Sequence, residues 1–468
     1  MKTIKFSLLF ALSTSVLSGC AVAPVEMSSQ QRSVIPEQWS QGEGGPQEQA
    51  LRVAPKEWWA SWGDETLNEL IGKTLDNNTD IATVQANLRS AMAALSGATA
   101  SLFPTANLGA DASRNRQNGS SSERFGADAS ASWTFSFGGR DVSARRAAQA
   151  SAYASELTLE DTKSAMTSEV ALTYVQLRLA QTRMQIALQS EKSYKEAMDL
   201  TQWRYEAGLV SATDYEQAIA QYENARASIA TTHHNILQYQ TALSRLTVLP
   251  LANIQSLPQG PIPLPPENIA VAIPADVLSL RPDVQAAREN VRAAMENVRV
   301  AQADFLPSLS LTGTIGTAAA TVGALGSSGT GIGALVGALS MPFLNWGDAI
   351  EATETQKANL DRAQADYTAT LVGALEETEN ALSGIRASAA KKASLRKATQ
   401  SSQLAAQLAL QQYSSGLEDY QTVLTTQRSL LDAQDSEASN WADWAIAHID
   451  LYRALGGGWM PPDKQERK

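Results

Sequence analysis

The sequence predicts a mostly α-helical α+β membrane protein, an internally duplicated chain giving four β-strands and a set of very long helices. Three observations carry this expectation. The second half of the chain repeats the first, two segments in each half alternate apolar with polar residues, the fourth, about Gly331 to Phe343, less cleanly than the others, and each half holds a long proline-free stretch.

A chain of 468 residues with 44% hydrophobic content can bury more than one core, so disorder is excluded. Its net charge of −11 argues against a nucleic-acid partner, since phosphate backbones are bound through clustered Lys and Arg. At the N-terminus Lys2 and Lys5 precede an apolar stretch, Phe6 to Leu17, that ends in Leu17-Ser18-Gly19-Cys20. Residues 1–19 therefore read as a signal peptide, too short to stay in a bilayer as a helix. The small residues before Cys20 resemble the lipobox of bacterial lipoproteins. Cys20 is expected as the first mature residue, with an S-diacylglycerol and an N-acyl chain as its covalent lipid. No disulfide can form within the chain, because Cys20 is its one cysteine. The resemblance to bacterial lipoproteins further implies sorting to the outer membrane, because Ala21 rather than Asp follows the cysteine. Beyond residue 20 no apolar run reaches the roughly 18 to 20 residues of a membrane helix, so any spanning part must be β.

The duplication is read directly. Asp80, Asn87, Arg89, Ala91, Met92, Ala98, Ala100 and Pro104 match Asp283, Asn290, Arg292, Ala294, Met295, Ala301, Ala303 and Pro307 at constant spacing. At a slightly larger spacing Phe135, Gly139, Tyr205, Gly208, Leu243 and Arg245 match Phe343, Gly347, Tyr413, Gly416, Leu451 and Arg453. The order expected is an N-terminal extension over 20–66, repeat 1 over 67–249, a proline-rich linker over 250–274, repeat 2 over 275–459 and a tail over 460–468. Each repeat reads as helix, two strands, long helix, turn, helix, with hairpins over 105–137 and 308–343. The long helices fall at 141–206 and 348–414, and the last helices at 212–247 and 419–455.

From Ala127 to Phe137 the odd positions are Ala, Ala, Ala, Trp, Phe and Phe, and the even ones Asp, Ser, Ser, Thr and Ser. Strands of this kind suit a membrane barrel with a wet lumen, and equally a soluble sheet with one solvated face. The lipobox and the lack of an apolar helix favour the barrel. Four strands cannot close one, so the barrel must be shared between chains. A helix over 141–206 would be roughly 100 Å long, and the shorter helices on either side together match it in residue number. A helical wall of constant height follows. Val170, Tyr174, Leu177, Met184 and Leu188 form one apolar stripe on the long helix, and Leu172, Val175, Leu179 and Ile186 a second, which implies a neighbour on each flank.

Trp58-Trp59 with Leu67 to Ile71, Arg281-Pro282-Asp283-Val284 running to Phe305-Leu306-Pro307, Arg204-Tyr205-Glu206-Ala207-Gly208 and Leu455-Gly456-Gly457-Gly458-Trp459 occur in this order. With them the chain resembles the TolC-like outer-membrane factors, in their NodT-type efflux lipoprotein branch. The resemblance covers nearly the whole mature chain. It implies a homotrimer with a 12-stranded β-barrel in the outer-membrane lipid, a 12-helix periplasmic tunnel, and an equatorial girdle from the termini and linker. It implies a passive exit duct, docked through a periplasmic adaptor (membrane fusion protein) to an inner-membrane transporter. The idle duct would close at the turns 206–215 and 414–428. Candidate gate residues there are Tyr205, Asp214, Tyr215, Glu418, Asp419, Tyr420 and Arg428, with Gly208 and Gly416 as helix-ending glycines. Gln421 and Thr425 stand where pump-linked relatives carry Leu and Asp, which leaves Arg428 without its usual partner and makes Asp419 the substitute.

Enzymatic readings find little footing. His233 and His234 are adjacent on a helix and point about 100° apart, His448 has no partner spacing, and no metal or catalytic residue is expected. Gly329-Thr330-Gly331-Ile332-Gly333 lacks a phosphate-loop lysine and reads as a hairpin tip. Glu376, Glu377 and Glu379 read as a solvated helix face. Two other functions share part of this pattern: a protein-secretion duct of the type I kind, and a structural lipoprotein tether.

Overall fold

The computed structural model describes residues 35–40, 55–117, 119–266, 274–341 and 346–459; Cys20, the signal segment and the tail lie outside them. The chain forms two compact units, one of Ala86–Leu157 with Gln285–Thr370, the other of Ser33–Gln85, Thr158–Val284 and Leu371–Lys468.

The first unit is built on one antiparallel sheet of order β1-β2-β3-β4, from β1 Thr105–Gln117, β2 Ser120–Ser136, β3 Ser308–Ala319 and β4 Gly331–Ser340. Its register aligns the alternation of β1, β2 and β3, while β4 puts Leu335 and Leu339 on their apolar face but Ile332 and Val336 on the other. Ala129 lies between Leu108 and Ile315, Trp133 beside Leu311, and Leu309 between Phe135 and Leu339. One face therefore presents Leu108, Phe125, Trp133, Phe135, Leu311, Ile315, Leu335 and Leu339, and Leu108 (88% exposed) and Leu335 (82% exposed) show how little covers it. The opposite face carries Asn107, Asp111, Asp128, Ser130, Ser132, Ser310, Thr312 and Thr314. β2 starts seven residues before the period-two run and ends at Ser136, because Gly138 and Gly139 both take positive φ and turn the chain into the next helix. β4 stops at Ser340, short of the expected Phe343, and residues 342–345 lie outside the described residues.

The helices are α1 Glu65–Asn77, α2 Thr79–Ala100, α3 Arg140–Glu206, α4 Ala212–Thr247, α5 Leu251–Gln255, α6 Pro274–Leu280, α7 Pro282–Ala303, α8 Trp346–Ser414 and α9 Tyr420–Ala454. α3 and α8 run 67 and 69 residues, about 100 Å each. None of the described helices is long and apolar enough to cross a membrane. The linker is not all extended: α5 forms a single turn within it.

The core of the second unit collects the aromatic motif near the N-terminus. Trp58 is fully buried and stacks on Tyr452 of α9 at 4.8 Å, among Leu67, Ile71, Val170, Tyr174, Leu243, Ile449 and Leu455. Asp64 caps α1 by accepting from the Leu67 amide at 2.9 Å, and it also accepts the Tyr174 hydroxyl at 2.8 Å. Arg178 donates to the Pro258 carbonyl at 2.7 Å, which pins the linker to α3. Of the first stripe on α3, Val170, Tyr174 and Leu177 are buried, but Leu188 is half exposed. The acidic face on α8 is also not simply solvated: Glu377 pairs with Arg281 at 2.8 Å, and Glu379 accepts from the amide and hydroxyl of Ser40 at 2.7 Å. His448 is buried with Nδ1 2.8 Å from the Trp444 carbonyl, and burial lowers its pKa, so it sits neutral in the core.

Candidate functional site

The two turns that join α3 to α4 and α8 to α9 are copies of one design. α3 runs out where Gly208 takes φ +73°, with Gly208 N–H donating to Tyr205 O at 2.9 Å and Leu209 N–H to Arg204 O at 2.8 Å. α8 ends the same way at Gly416, φ +76°, with Gly416 bonded to Tyr413 and Leu417 to Gln412, both at 2.9 Å. This paired closure is the Schellman arrangement, which needs a residue free to adopt the left-handed conformation.

The next helix starts on a capping side chain in each case. Ser211 accepts from the Asp214 amide, and Asp214 accepts from the Ser211 amide, both at 3.2 Å, a capping box. Asp419 accepts from the Thr422 amide and hydroxyl at 2.9 Å, and these bonds hold its pKa below the ordinary carboxylate value. Glu418 accepts from the Thr422 hydroxyl at 3.2 Å. The carboxylates of both turns therefore serve their own helix starts.

What ties the helices to one another behind the turns is aromatic packing and arginine hydrogen bonds to uncharged acceptors, with an ion pair further along. Tyr194, Ala197, Ala218, Ala409, Tyr413, Tyr420, Val423 and Leu424 form a buried cluster behind the turns. Arg204 donates to the Tyr413 carbonyl and lays its guanidinium over the Tyr413 ring at 4.6 Å. The Tyr413 hydroxyl reaches Thr201 at 3.1 Å. Burial pushes the Tyr420 hydroxyl up to about 12, so it stays protonated at any physiological pH. Arg428 of α9 donates to Gln221 of α4 at 2.8 Å. Its charge and Gln221 partly offset the burial that raises the Tyr194 pKa. Further along, Arg183 of α3 clamps Asp435 of α9 through contacts of 2.6 and 3.1 Å.

Of the residues expected from sequence, Tyr205 and Tyr215 come together, stacked at 5.4 Å, and Tyr420 joins the buried cluster. Asp419 does not substitute as the partner of Arg428; it is held at the helix start, and a glutamine takes the guanidinium instead. Tyr194, Arg204, Tyr413 and Gln221 were not singled out. The repeat offered a signal for Tyr413, as the counterpart of Tyr205, yet the two copies diverge. Tyr205 is 42% exposed on its own turn, whereas Tyr413 is 1% exposed and anchors the cluster. Nothing in a single helix period distinguishes Gln221 from its polar neighbours.

The comparisons with known proteins agree with this architecture. The family model described as outer membrane efflux protein matches residues 70–247 and 273–457. The toluene efflux pump outer membrane protein TtgF of Pseudomonas putida is 29% identical over 98% of this chain and 98% of its own length. The probable outer membrane lipoprotein SilC of Salmonella typhimurium is 25% identical over 97% of this chain and 99% of its own. The solved outer-membrane channel OprN superimposes with a TM-score of 0.83 at 27% identity, covering 94% of this chain and all of that one. Duplicated repeats, amphipathic strands, matched helix turns and a family model spanning both repeats lead to one conclusion: the chain belongs to the outer membrane efflux protein family.

Proposed function

We propose that the chain is one third of a homotrimeric duct in the outer membrane, which passively passes small molecules such as drugs from the periplasm outward. The observation that carries this reading is the sheet, with one continuous apolar face, a second face that is polar over β1, β2 and β3, and edges at β1 and β4 that no described strand covers. In lipid an open edge leaves backbone groups unpaired, so the sheet must close on copies of itself. Three copies supply twelve strands. Phe125 to Phe135 covers about 33 Å of strand, and at a barrel tilt near 40° this gives a band of roughly 25 Å, the height of a lipid-facing surface. Trp133 and Phe135 mark one border of that band as an aromatic girdle. The repeated helices also differ in burial: Met295 of α7 is 8% exposed, whereas its counterpart Met92 of α2 is 48% exposed. α2 thus presents a face that a neighbouring subunit would cover.

In this reading α3, α4, α8 and α9 with their upper partners α2 and α7 make the periplasmic tunnel wall, twelve helices across in the trimer. Cys20 carries the covalent lipid, in keeping with the lipoprotein name of SilC. A periplasmic adaptor and an inner-membrane transporter supply the energy, so the chain has no catalytic task. The gate lies at the tips, where Tyr205, Asp214, Tyr215, Glu418, Asp419, Tyr420 and Arg428 shape the two turns.

Native mass spectrometry of the detergent-solubilised protein tests the assembly. A trimer carrying three lipid masses is expected, with the lipid lost and the trimer kept in Cys20→Ala; a stable monomer defeats the shared barrel. Deleting the gene should raise susceptibility to apolar drugs, and restoring the chain should reverse it. Unchanged susceptibility together with impaired protein export would turn the assignment to secretion.

A further inference from the structure

Four segments of the second unit meet at a mixed ion cluster that the duct mechanism leaves unused. Arg281, 5% exposed, stands at the start of α7. Its guanidinium grips Asp283 with both prongs, Nε to Oδ1 at 3.0 Å and Nη2 to Oδ2 at 2.7 Å. It reaches Glu377 of α8 at 2.8 Å and donates to the carbonyl of Ala454, the last residue of α9, at 3.2 Å. Asp161 of α3 faces the same charges. Burial above all pushes its carboxyl up to about 6, with Asp283 and Glu377 acting in the same sense and Arg281 and Arg453 against it. Asp450 of α9 is raised as well, by burial first and then by Glu377, while Arg453 opposes.

The C-terminal turn lies against this cluster. Gly457, at φ +64°, sits on Ser164 of α3 so closely that a Cβ would collide with it, and Gly456 lies over Arg281 and Pro282. Beside Glu377, Asp450 and Arg453 a cavity of about 390 Å³ between α8 and α9, also lined by Asp443 and Asn380, gives water and protons access. On the α3 side the nearby charges Lys163 and Glu160 pair with each other at 2.7 Å. Asp161, Asp283, Glu377 and Asp450, with Asp443 on the cavity wall, thus face Arg281 and Arg453, among the described residues a surplus of three negative charges once all five carboxylates are ionised. In a half-buried setting that surplus pushes the segments apart.

We propose that this cluster is an acid-set latch, which grips the C-terminal turn against α3 and α7 while Asp161 carries its proton and slackens when that proton leaves. The closed latch holds the proton more tightly than an opened, solvated cluster does, so protonation favours closure. The grip is complete below the ordinary carboxylate value of 3.8 and is lost as the pH rises through about 6. A shift of two pH units sets a limit of about a hundredfold in the closed-to-open ratio; partial access of solvent brings the effect to about tenfold. That the latch senses the pH of the medium rests on the outer-membrane reading; the titration itself does not.

Hydrogen exchange of the full-length protein in detergent, corrected for intrinsic exchange and followed from about pH 5 to about pH 8, reads the opening of residues 281–289 and 450–458. Wild-type opening is expected to be about tenfold rarer on the acid side, and Asp161→Asn to hold the rare-opening level throughout. Glu377→Gln removes a charge that raises Asp161, so it should move the midpoint toward acid. Opening that is independent of pH, or more frequent in acid, overturns the latch. So does an Asp161→Asn profile identical to wild type, or a midpoint unmoved by Glu377→Gln. Failure of the protein to form trimers would strike at the duct reading and leave this profile untouched.

Discussion

Arg428 and Asp419 lie within one stretch of α9 and its cap, yet their side chains serve different purposes. Asp419 accepts from the Thr422 amide, while the Arg428 guanidinium crosses to Gln221 on α4. A hydrogen bond to a charged group at an exposed site contributes about 1 kcal/mol or less, so one copy would barely shift a closed state. In the proposed trimer three symmetric copies acting together would give up to about 3 kcal/mol, which approaches a hundredfold change in open population. Arg428→Ala and Gln221→Ala are each expected to raise single-channel conductance in planar bilayers, and the double variant to add nothing further. Asp419→Ala should leave conductance unchanged, since it removes a cap and no crossing tie. Additive effects of Arg428→Ala and Gln221→Ala would mean that the two side chains act separately.

The long helices hold their length because neither contains proline, though α8 carries Gly373 and Gly384 in its interior, and they end where the backbone must turn left-handed. At Gly416 an alanine costs about 1 kcal/mol for positive φ, whereas asparagine tolerates that region far better. Gly416→Asn should therefore keep slow amide exchange at Gly416 and Leu417, and Gly416→Ala should speed it. Equal exchange in the two variants would show that the Schellman closure is not what stops α8. The same argument applies to Gly208. The sheet is an element of another kind, because in the proposed barrel its two faces meet different solvents. Leu335→Arg places a charge on the apolar face, where it costs about 2–4 kcal/mol at mid-membrane depth, while Thr312→Arg points to the polar face and should be tolerated. Heat-resistant trimer on a denaturing gel measures this. Loss of trimer in Thr312→Arg with retention in Leu335→Arg would reverse the assignment of the faces.

For the molecule as a whole, the family, the duplication, the periodicity of the first three strands and the proline-free long helices were all legible in the residues themselves. Period-two alternation, a run of helix formers and a glycine at a helix end act through neighbours in sequence, so their meaning survives without tertiary context. The divergence of the two repeats was not legible. Tyr205 and Tyr413 occupy equivalent places in motifs that share the tyrosine and the Gly-Leu pair, and only packing against Tyr194, Tyr420 and Leu424 buries the second. The partner of Arg428 was misread for the same reason: charge complementarity pointed to Asp419, but a carboxylate already bonded to the amide and hydroxyl of Thr422 at a helix start has no call on a distant cation. Glu377, taken for surface, meets Arg281 across 96 residues of chain. Such pairings depend on which helix faces lie side by side, a long-range outcome that no local pattern encodes. Sequence by itself determined the elements and the family; tertiary structure decided which side chains meet, because contacts between distant segments are set by the packing of whole helices.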